Sequence, residues 1–348
     1  MTTSRQRVLA AFAHQEPDRV PCWCGASTEF WDKAKATLGL DDEGLRLRFR
    51  DDFRRVAPKW SPPARAGIAA GGAGASLFGV HRSGLGCGLP DSHPLAGATL
   101  DQVHNYAWPD PAYIKVDHMR AQALAYEGQY AMMTGPWSRF FHDTADLVGM
   151  EQLYYLMYDQ PEIVDAIMQH VTDFYVQMAV KSFEALGGAA DIWFMGNDLG
   201  TSNGPLIGPE LFDRFALPHF RRLISLGHDY GLKVMLHCCG GFAPLIPSLI
   251  GAGLDAIQAV QPSCKGMDLR ELKKDFGQRL LFSGAIDSQH VLIEGSVEHV
   301  RNQTRQVLDI MKPGGGYVGG ASHDWILVET PLENVLAMFD TIYEFGTY

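Results

Sequence analysis

"LKVMLHCCGG", residues 232–241, decides the fold. An apolar run ends in His237, Cys238 and Cys239, and two glycines follow. A near-continuous apolar run of this length is what a parallel strand covered on both faces presents. Gly240 and Gly241 let the backbone turn sharply into a following helix without crowding the strand end. Side chains alternate along a strand, so His237 and Cys239 share one side and Cys238 takes the other.

The same pattern repeats outward from this stretch. "VPCWCGA" (20–26), "QYAMMTG" (129–135), "ADIWFMGND" (190–198), "DAIQAVQP" (255–262), "RLLFSGAID" (279–287) and "GGYVGGASH" (315–323) each read as a strand. Helical patterns lie between or after them, at about 161–186, 209–227, 242–252, 268–275, 297–311 and 332–346. Strands alternating with helices make a parallel sheet. Seven strand candidates favour a closed, distorted (β/α)8 TIM barrel over an open sheet. No G-x-G-x-x-G opens a helix after a strand and no G-x-x-x-x-G-K-[ST] occurs, which argues against dinucleotide or ATP binding. The "GGG" at 314–316 precedes a strand, so it reads as a tight turn and not a phosphate cradle.

Residues 58–94 break the pattern. They are rich in Gly, Pro and Ser without a steady period, and read as an excursion over the barrel mouth with irregular hairpins. No internal repeat or linker divides the chain, so residues 1–348 are expected to form a single domain.

The chain has 348 residues, 46% hydrophobic and 20% charged, enough to bury one sizeable core. Its net charge is −11 and its pI about 5.6. That balance argues against nucleic-acid and anionic-membrane partners and fits small-molecule chemistry. The N-terminal "MTTSRQRVLAAFAHQEPDRVP" reads as a short amphipathic helix and not a signal peptide. No apolar window reaches the ~18 residues of a membrane span. Six cysteines in a chain this long do not make a disulfide framework, so free thiols and a cytoplasmic location are expected.

In a barrel the C-terminal strand ends carry the chemistry. Here they offer Asn197 and Asp198, then His237, Cys238 and Cys239, Gln261, Asp287, and finally Ser322, His323 and Asp324. An imidazole with a thiolate suits zinc, and two ligands hold it weakly, so a third is needed. His323, Cys264 and Asp198 are the candidates for it. Each has a plainer role open to it: His323 as a substrate hydrogen-bonding group, Cys264 as a loop thiol, Asp198 as a cap. Asp198 is also a candidate general base. The "CWC" at 22–24 has ligand spacing but no His or acidic partner nearby, and Cys87 reads as incidental.

These segments together resemble the uroporphyrinogen decarboxylase superfamily, which includes zinc-dependent corrinoid methyltransferases. The likeness rests on "SRQRVLAAFAHQEPDRVP", on "LHCCGGFAPLIPSLIGAGLDAIQAVQP", on "LLFSGAIDSQHVL" and on "GGGYVGGASHDWILVETPLENVLAMFD". It implies a barrel with the site in a cleft at its C-terminal face. The decarboxylase branch grips a polycarboxylate with an Arg-rich N-terminal segment, whereas no Arg lies between Arg19 and Arg46 here. The methyltransferase branch holds zinc with a His-x-Cys pair, matched by His237 and Cys239, and a distant Cys. In that last place this chain has His323.

The resemblance therefore implies methyl transfer between a small-molecule thiol or methoxy/methylated compound and a corrinoid (cobalamin) carried by a separate protein. His237, Cys239 and His323 are the implied zinc ligands, with Cys264 or Asp198 as alternative third ligands. Asp198 and His323 are candidate catalytic groups, and Asn197, Gln261 and Asp287 candidate substrate contacts. A His2Cys set would leave a bound thiol less electron-rich than a two-thiolate set, favouring either a different acceptor or Lewis-acid use of the metal. Trp23, Trp31 and Trp137 could shape the opening, with core packing as their plainer role. A metal-free decarboxylase or lyase and a non-catalytic corrinoid- or ligand-binding barrel are the alternatives.

Overall fold

Seven strands lie side by side and parallel in one curled sheet: β1 (Phe53–Arg55), β2 (Ala131–Thr134), β3 (Ile192–Gly196), β4 (Lys233–His237), β5 (Ala256–Val260), β6 (Leu281–Ile286) and β7 (Tyr317–Ala321). Their order in the sheet follows the chain, and every adjacent pair is parallel. The computed structural model describes residues 2–62, 76–84 and 88–348.

The segment at 20–26 does not form the strand that its sequence predicts. Cys22 instead makes single parallel bridges to Gly319 on β7 and to Asp51 just before β1. Trp23 N donates to Gly319 O at 3.1 Å and Asp52 N donates to Cys22 O at 2.9 Å. The segment thus closes a distorted (β/α)8 barrel as its eighth stave. A longer ladder is prevented locally. Pro21 has no N–H to give, and Cys22 N donates to the Asp52 carboxylate at 2.8 Å. Asp52 is itself held by Arg7 at 2.8 Å and Arg19 at 3.0 Å, which pins the seam. The strand the sequence reading passed over, β1, has only three residues, two of them arginines.

Strand parity sorts the core into two layers. Phe53, Ala131, Met133, Ile192, Phe194, Met235, Ala256, Leu281 and Val318 fill the barrel, with Val8, Ala11 and Phe12 of α1 (Ser4–Phe12) packed against them. The alternate residues, such as Trp193, Met195, Val234, Leu236, Ile257 and Phe282, face the helical layer. Removing each large side chain from water contributes on the order of 1.5–3 kcal/mol. Burial on both faces is why the strands read as continuous apolar runs.

The surrounding helices include α2 (Phe140–Val148), α3 (Pro161–Leu186), α4 (Leu217–Asp229), α5 (Ile246–Gly251), α6 (Leu269–Phe276), α7 (Val297–Met311) and α8 (Leu332–Phe345). The helix expected over 209–227 is interrupted by a π turn at Phe212–Ala216. Pro218, at the start of α4, lacks the N–H that a regular helix would use there. In the excursion, Arg82–Ser83 pairs with Leu89–Pro90, and Lys59–Trp60 pairs with Ile114–Lys115. Cys87 and residues 63–75 lie outside the described residues. Among the described residues no helix is long and apolar enough to cross a membrane.

Candidate metal centre and its cavity

The interior stripe changes character toward the C-terminal mouth. Two residues beyond Phe53 comes Arg55, beyond Met235 comes His237, and beyond Ala256 comes Gln258. Period-two geometry keeps each of these on the inner face, so the polar layer is continuous with the apolar core beneath it.

At that level the ligand atoms of Asp198, His237 and Cys239 lie within 4.8 Å of one another. His237 Nε2 is 3.4 Å from Cys239 Sγ and 3.3 Å from Asp198 Oδ1. Cys239 N donates to Asp198 Oδ1 at 2.8 Å. On the other side of the ring, His237 Nδ1 is 2.6 Å from Gln258 Oε1. Gly240 makes the turn possible with a φ of +84°. A Cβ there would lie 2.4 Å from the Gly200 carbonyl carbon. Cys238 points away, as parity requires, and its Sγ accepts from Leu199 N at 3.2 Å.

These groups polarise one another. Burial alone would raise the Asp198 carboxyl, but the hydrogen bond and charge of His237 outweigh it and hold Asp198 below its usual range. Burial would lower His237, and its hydrogen bonds to Asp198 and Cys239 raise it instead. The Cys239 thiol is lowered against its burial by hydrogen bonds from His237 and His323. The centre therefore favours an ionised acid, an ionised thiol and a charged imidazole. Both anions are good cation ligands, and a bound cation would take over the role the imidazole proton plays here.

The other residues singled out in the sequence fall into two groups. His323 stands beside the cluster, hydrogen-bonded to Cys239. Its ring centre is 6.4 Å from that of His237. Asn197 lines the cavity, with both ends of its amide committed to the backbone at Phe141 N (3.0 Å) and Ser138 O (2.8 Å). Gln261 braces the turn through Gly240 N at 2.9 Å, and Cys264 packs 3.5 Å from the same Gln261 oxygen. Asp287 caps the turn after β6, accepting from Gln289 N and His290 N at 2.9 and 2.7 Å. Cys22 and Cys24 are buried, and burial pushes the Cys22 thiol up to about 12.

The cluster opens into a cavity of about 530 Å³, lined also by Arg55, Trp137, Arg139, His142, His323 and Trp325. A cleft of that size takes a small organic molecule. Trp137 lies against the metal-ligand candidates, its ring centre 5.2 Å from that of His237. His142 Nε2 is 2.7 Å from Asp198 O and fixes the loop that carries the carboxylate. Sequence reasoning missed Gln258, Arg55, Arg139 and His142. Parity was the available signal for Gln258, which shares a face with the buried Ala256 two positions earlier, whereas the strand that carries Arg55 has no apolar period to read.

Comparison with known proteins bears on the family and the fold. The model of the family described as uroporphyrinogen decarboxylase (URO-D) matches residues 129–345. The chain is 26% identical over 194 residues to a uroporphyrinogen decarboxylase of Syntrophotalea carbinolica, covering 54% of this chain and 50% of the relative. It is 25% identical over 190 residues to the methylcobamide:CoM methyltransferase MtbA of Methanosarcina acetivorans, covering 53% and 52%. The chain thus spans about half the length of these two relatives. Against MtbA of Methanosarcina mazei the identity is 24% over 329 residues, 88% of this chain and 89% of the relative. A solved methyltransferase structure from Methanosarcina mazei superposes over 99% of both chains with a TM-score of 0.68 at 17% identity, which establishes the shared fold. The match over 129–345 takes in six of the seven strands and all three residues of the candidate metal centre, and the chain belongs to the uroporphyrinogen decarboxylase family.

Proposed function

We propose that this protein is a zinc-dependent methyltransferase. It moves a methyl group between a small-molecule thiol or methylated compound and a corrinoid carried by a separate protein, with residues 1–348 acting as one barrel unit. The carrying observation is the convergence of Asp198, His237 and Cys239 at the C-terminal mouth, open to a cavity of about 530 Å³. Relatives named as methylcobamide:CoM methyltransferases support the reaction class.

The donor set fits zinc. Zinc–donor bonds of about 2.0–2.3 Å at tetrahedral angles place donors about 3.3–3.7 Å apart. The His237–Cys239 and His237–Asp198 separations, 3.4 and 3.3 Å, have that spacing. When bound, zinc supplies Lewis acidity that lowers the pKa of a thiol or polarises a heteroatom. The chain's own residues do the rest. Gln258 fixes the His237 ring, and Asp198 completes the ligand set or takes the substrate proton. His323, beside Cys239, hydrogen-bonds the substrate heteroatom. Trp137 walls the cavity against water.

The test is demethylation of methylcobalamin by a panel of small thiols, followed by the change in corrin absorbance. Zinc-loaded protein should turn over, and Cys239→Ala should fall to background. Equal turnover in metal-stripped protein would overturn the zinc dependence, and no turnover in either form would overturn the reading and favour the metal-free lyase, for which the decarboxylase relative is the supporting observation.

A further inference from the structure

Arg55 ends β1 on the inner face, one period above Phe53, and its side chain enters the cavity that holds the metal-ligand candidates. Its Cζ lies 5.5 Å from the Trp137 ring centre and 5.2 Å from that of Phe194. Arg55 also lines the two adjoining cavities, of about 440 and 380 Å³, so its guanidinium stands where three spaces meet.

The other arginines of this cavity are already tied. Arg82 and Arg139 share the Asp146 carboxylate, the second at 2.6 Å, and Arg139 is also 3.3 Å from Asp143. Among the described residues the Arg55 side chain makes no ion pair and no hydrogen bond, and Asp324 acts on it only through its charge. Arg55 is exposed to the water of the cavity and stays charged. A charged guanidinium that faces the cavity without a protein partner is open to an anionic ligand.

We propose that Arg55 is the specificity-determining residue of this site, and that the small-molecule ligand is an organic carboxylate whose charged end sits on the Arg55 guanidinium. The class follows from the geometry. A guanidinium packed beside two rings keeps its N–H edge for a planar, bidentate partner, which a carboxylate is. The Trp137 indole neighbours both groups in the same cavity, its ring centre 5.5 Å from Arg55 Cζ and 5.2 Å from the His237 ring centre. A carboxylate anchored on Arg55 therefore directs the other end of a short molecule along the indole toward His237 and Cys239. This rests on the methyltransferase reading only for the identity of that other end, a thiol or methylated heteroatom.

The test is calorimetric titration of the full chain, metal-free and zinc-loaded, with 3-mercaptopropionate and with its uncharged methyl ester. The wild type should prefer the acid by about tenfold or more in both forms, the worth of one charge-assisted bidentate contact. Arg55→Gln should lose that preference while binding the ester as the wild type does, which shows the cavity intact. Arg55→Lys should keep part of it. Equal affinity for acid and ester in the wild type, no binding of either, or an undiminished preference in Arg55→Gln would each overturn the proposal. A preference that persists without methyl transfer would sink the catalytic reading and leave the Arg55 site standing.

Discussion

His237 and Gln258 face each other across β4 and β5 as paired residues, with Gln258 Oε1 2.6 Å from His237 Nδ1. An amide oxygen at that distance accepts the Nδ1 proton and leaves Nε2 turned toward Asp198 and Cys239. Gln258 is fully buried, and its Nε2 has no hydrogen-bond partner. Leaving a buried donor unmade costs about 1–3 kcal/mol. The glutamine is thus a burden on the fold that orients a ligand. Gln258→Leu removes that orphan donor but strands the His237 Nδ1–H, so thermal stability should change little while zinc binding weakens by about 10–100-fold. Competition against a colorimetric chelator measures this, and unchanged zinc affinity would contradict the orienting role.

Among the cysteines of the described residues, Cys239 should be the most reactive in the metal-free protein. Hydrogen bonds from His237 and His323 lower its pKa against its burial, while burial raises Cys264. Cys22, Cys24 and Cys238 are buried. Iodoacetamide at neutral pH, followed by peptide mass spectrometry, should label Cys239 ahead of Cys264, and zinc should suppress that labelling. Labelling of Cys264 first would show that the thiolate is not poised where the geometry puts it.

Asp143 gives the fold a pH signature away from the metal centre. Burial pushes its carboxyl up to about 6, against the pull of Arg139 and the 2.6 Å hydrogen bond from Tyr175. Between the ordinary carboxylate pKa of 3.8 and about 6 the folded state holds a proton that the unfolded state has released. Stability therefore falls as pH rises through that window, by about 3 kcal/mol in total. Urea unfolding of wild type and Asp143→Asn at pH 4 and pH 7 should show the wild type losing that much more than the variant. Parallel pH dependences would show that Asp143 is ionised throughout.

Gly240 should tolerate no side chain. Its φ of +84° is strained for other residues, and a Cβ would lie 2.4 Å from the Gly200 carbonyl carbon. Gly240 N is also fixed by Gln261 Oε1 at 2.9 Å. Both backbones are held, so Gly240→Ala should lose about 2 kcal/mol or more and bind zinc less tightly. A melting temperature within a degree of wild type would contradict this close approach.

Much of this was legible in the sequence, and the limits have physical causes. Two-sided burial writes a strand as an apolar run, so β2 through β7 could be read directly. The parity of His237 and Cys239 could be read for the same reason. β1 could not, because a three-residue strand ending in two arginines has no apolar period. The 20–26 stretch looks like a strand and is a stave held by single bridges, because Asp52 takes the Cys22 amide. Gln258 was hidden by its position: one polar residue inside an apolar strand is ordinary until a neighbouring strand places a histidine opposite it. Asp287 shows the reverse, a chemically suggestive strand-end residue that the structure uses as a cap. The partner of Arg55 is a matter of what lies across a cavity, which no local pattern encodes.

The most direct measurement is metal analysis of the wild-type protein beside Cys239→Ala, both purified without added metal. The account predicts about one zinc per chain in the wild type and none retained by the variant, with circular dichroism unchanged. No zinc in the wild type, even after zinc is offered and the excess removed, would contradict it.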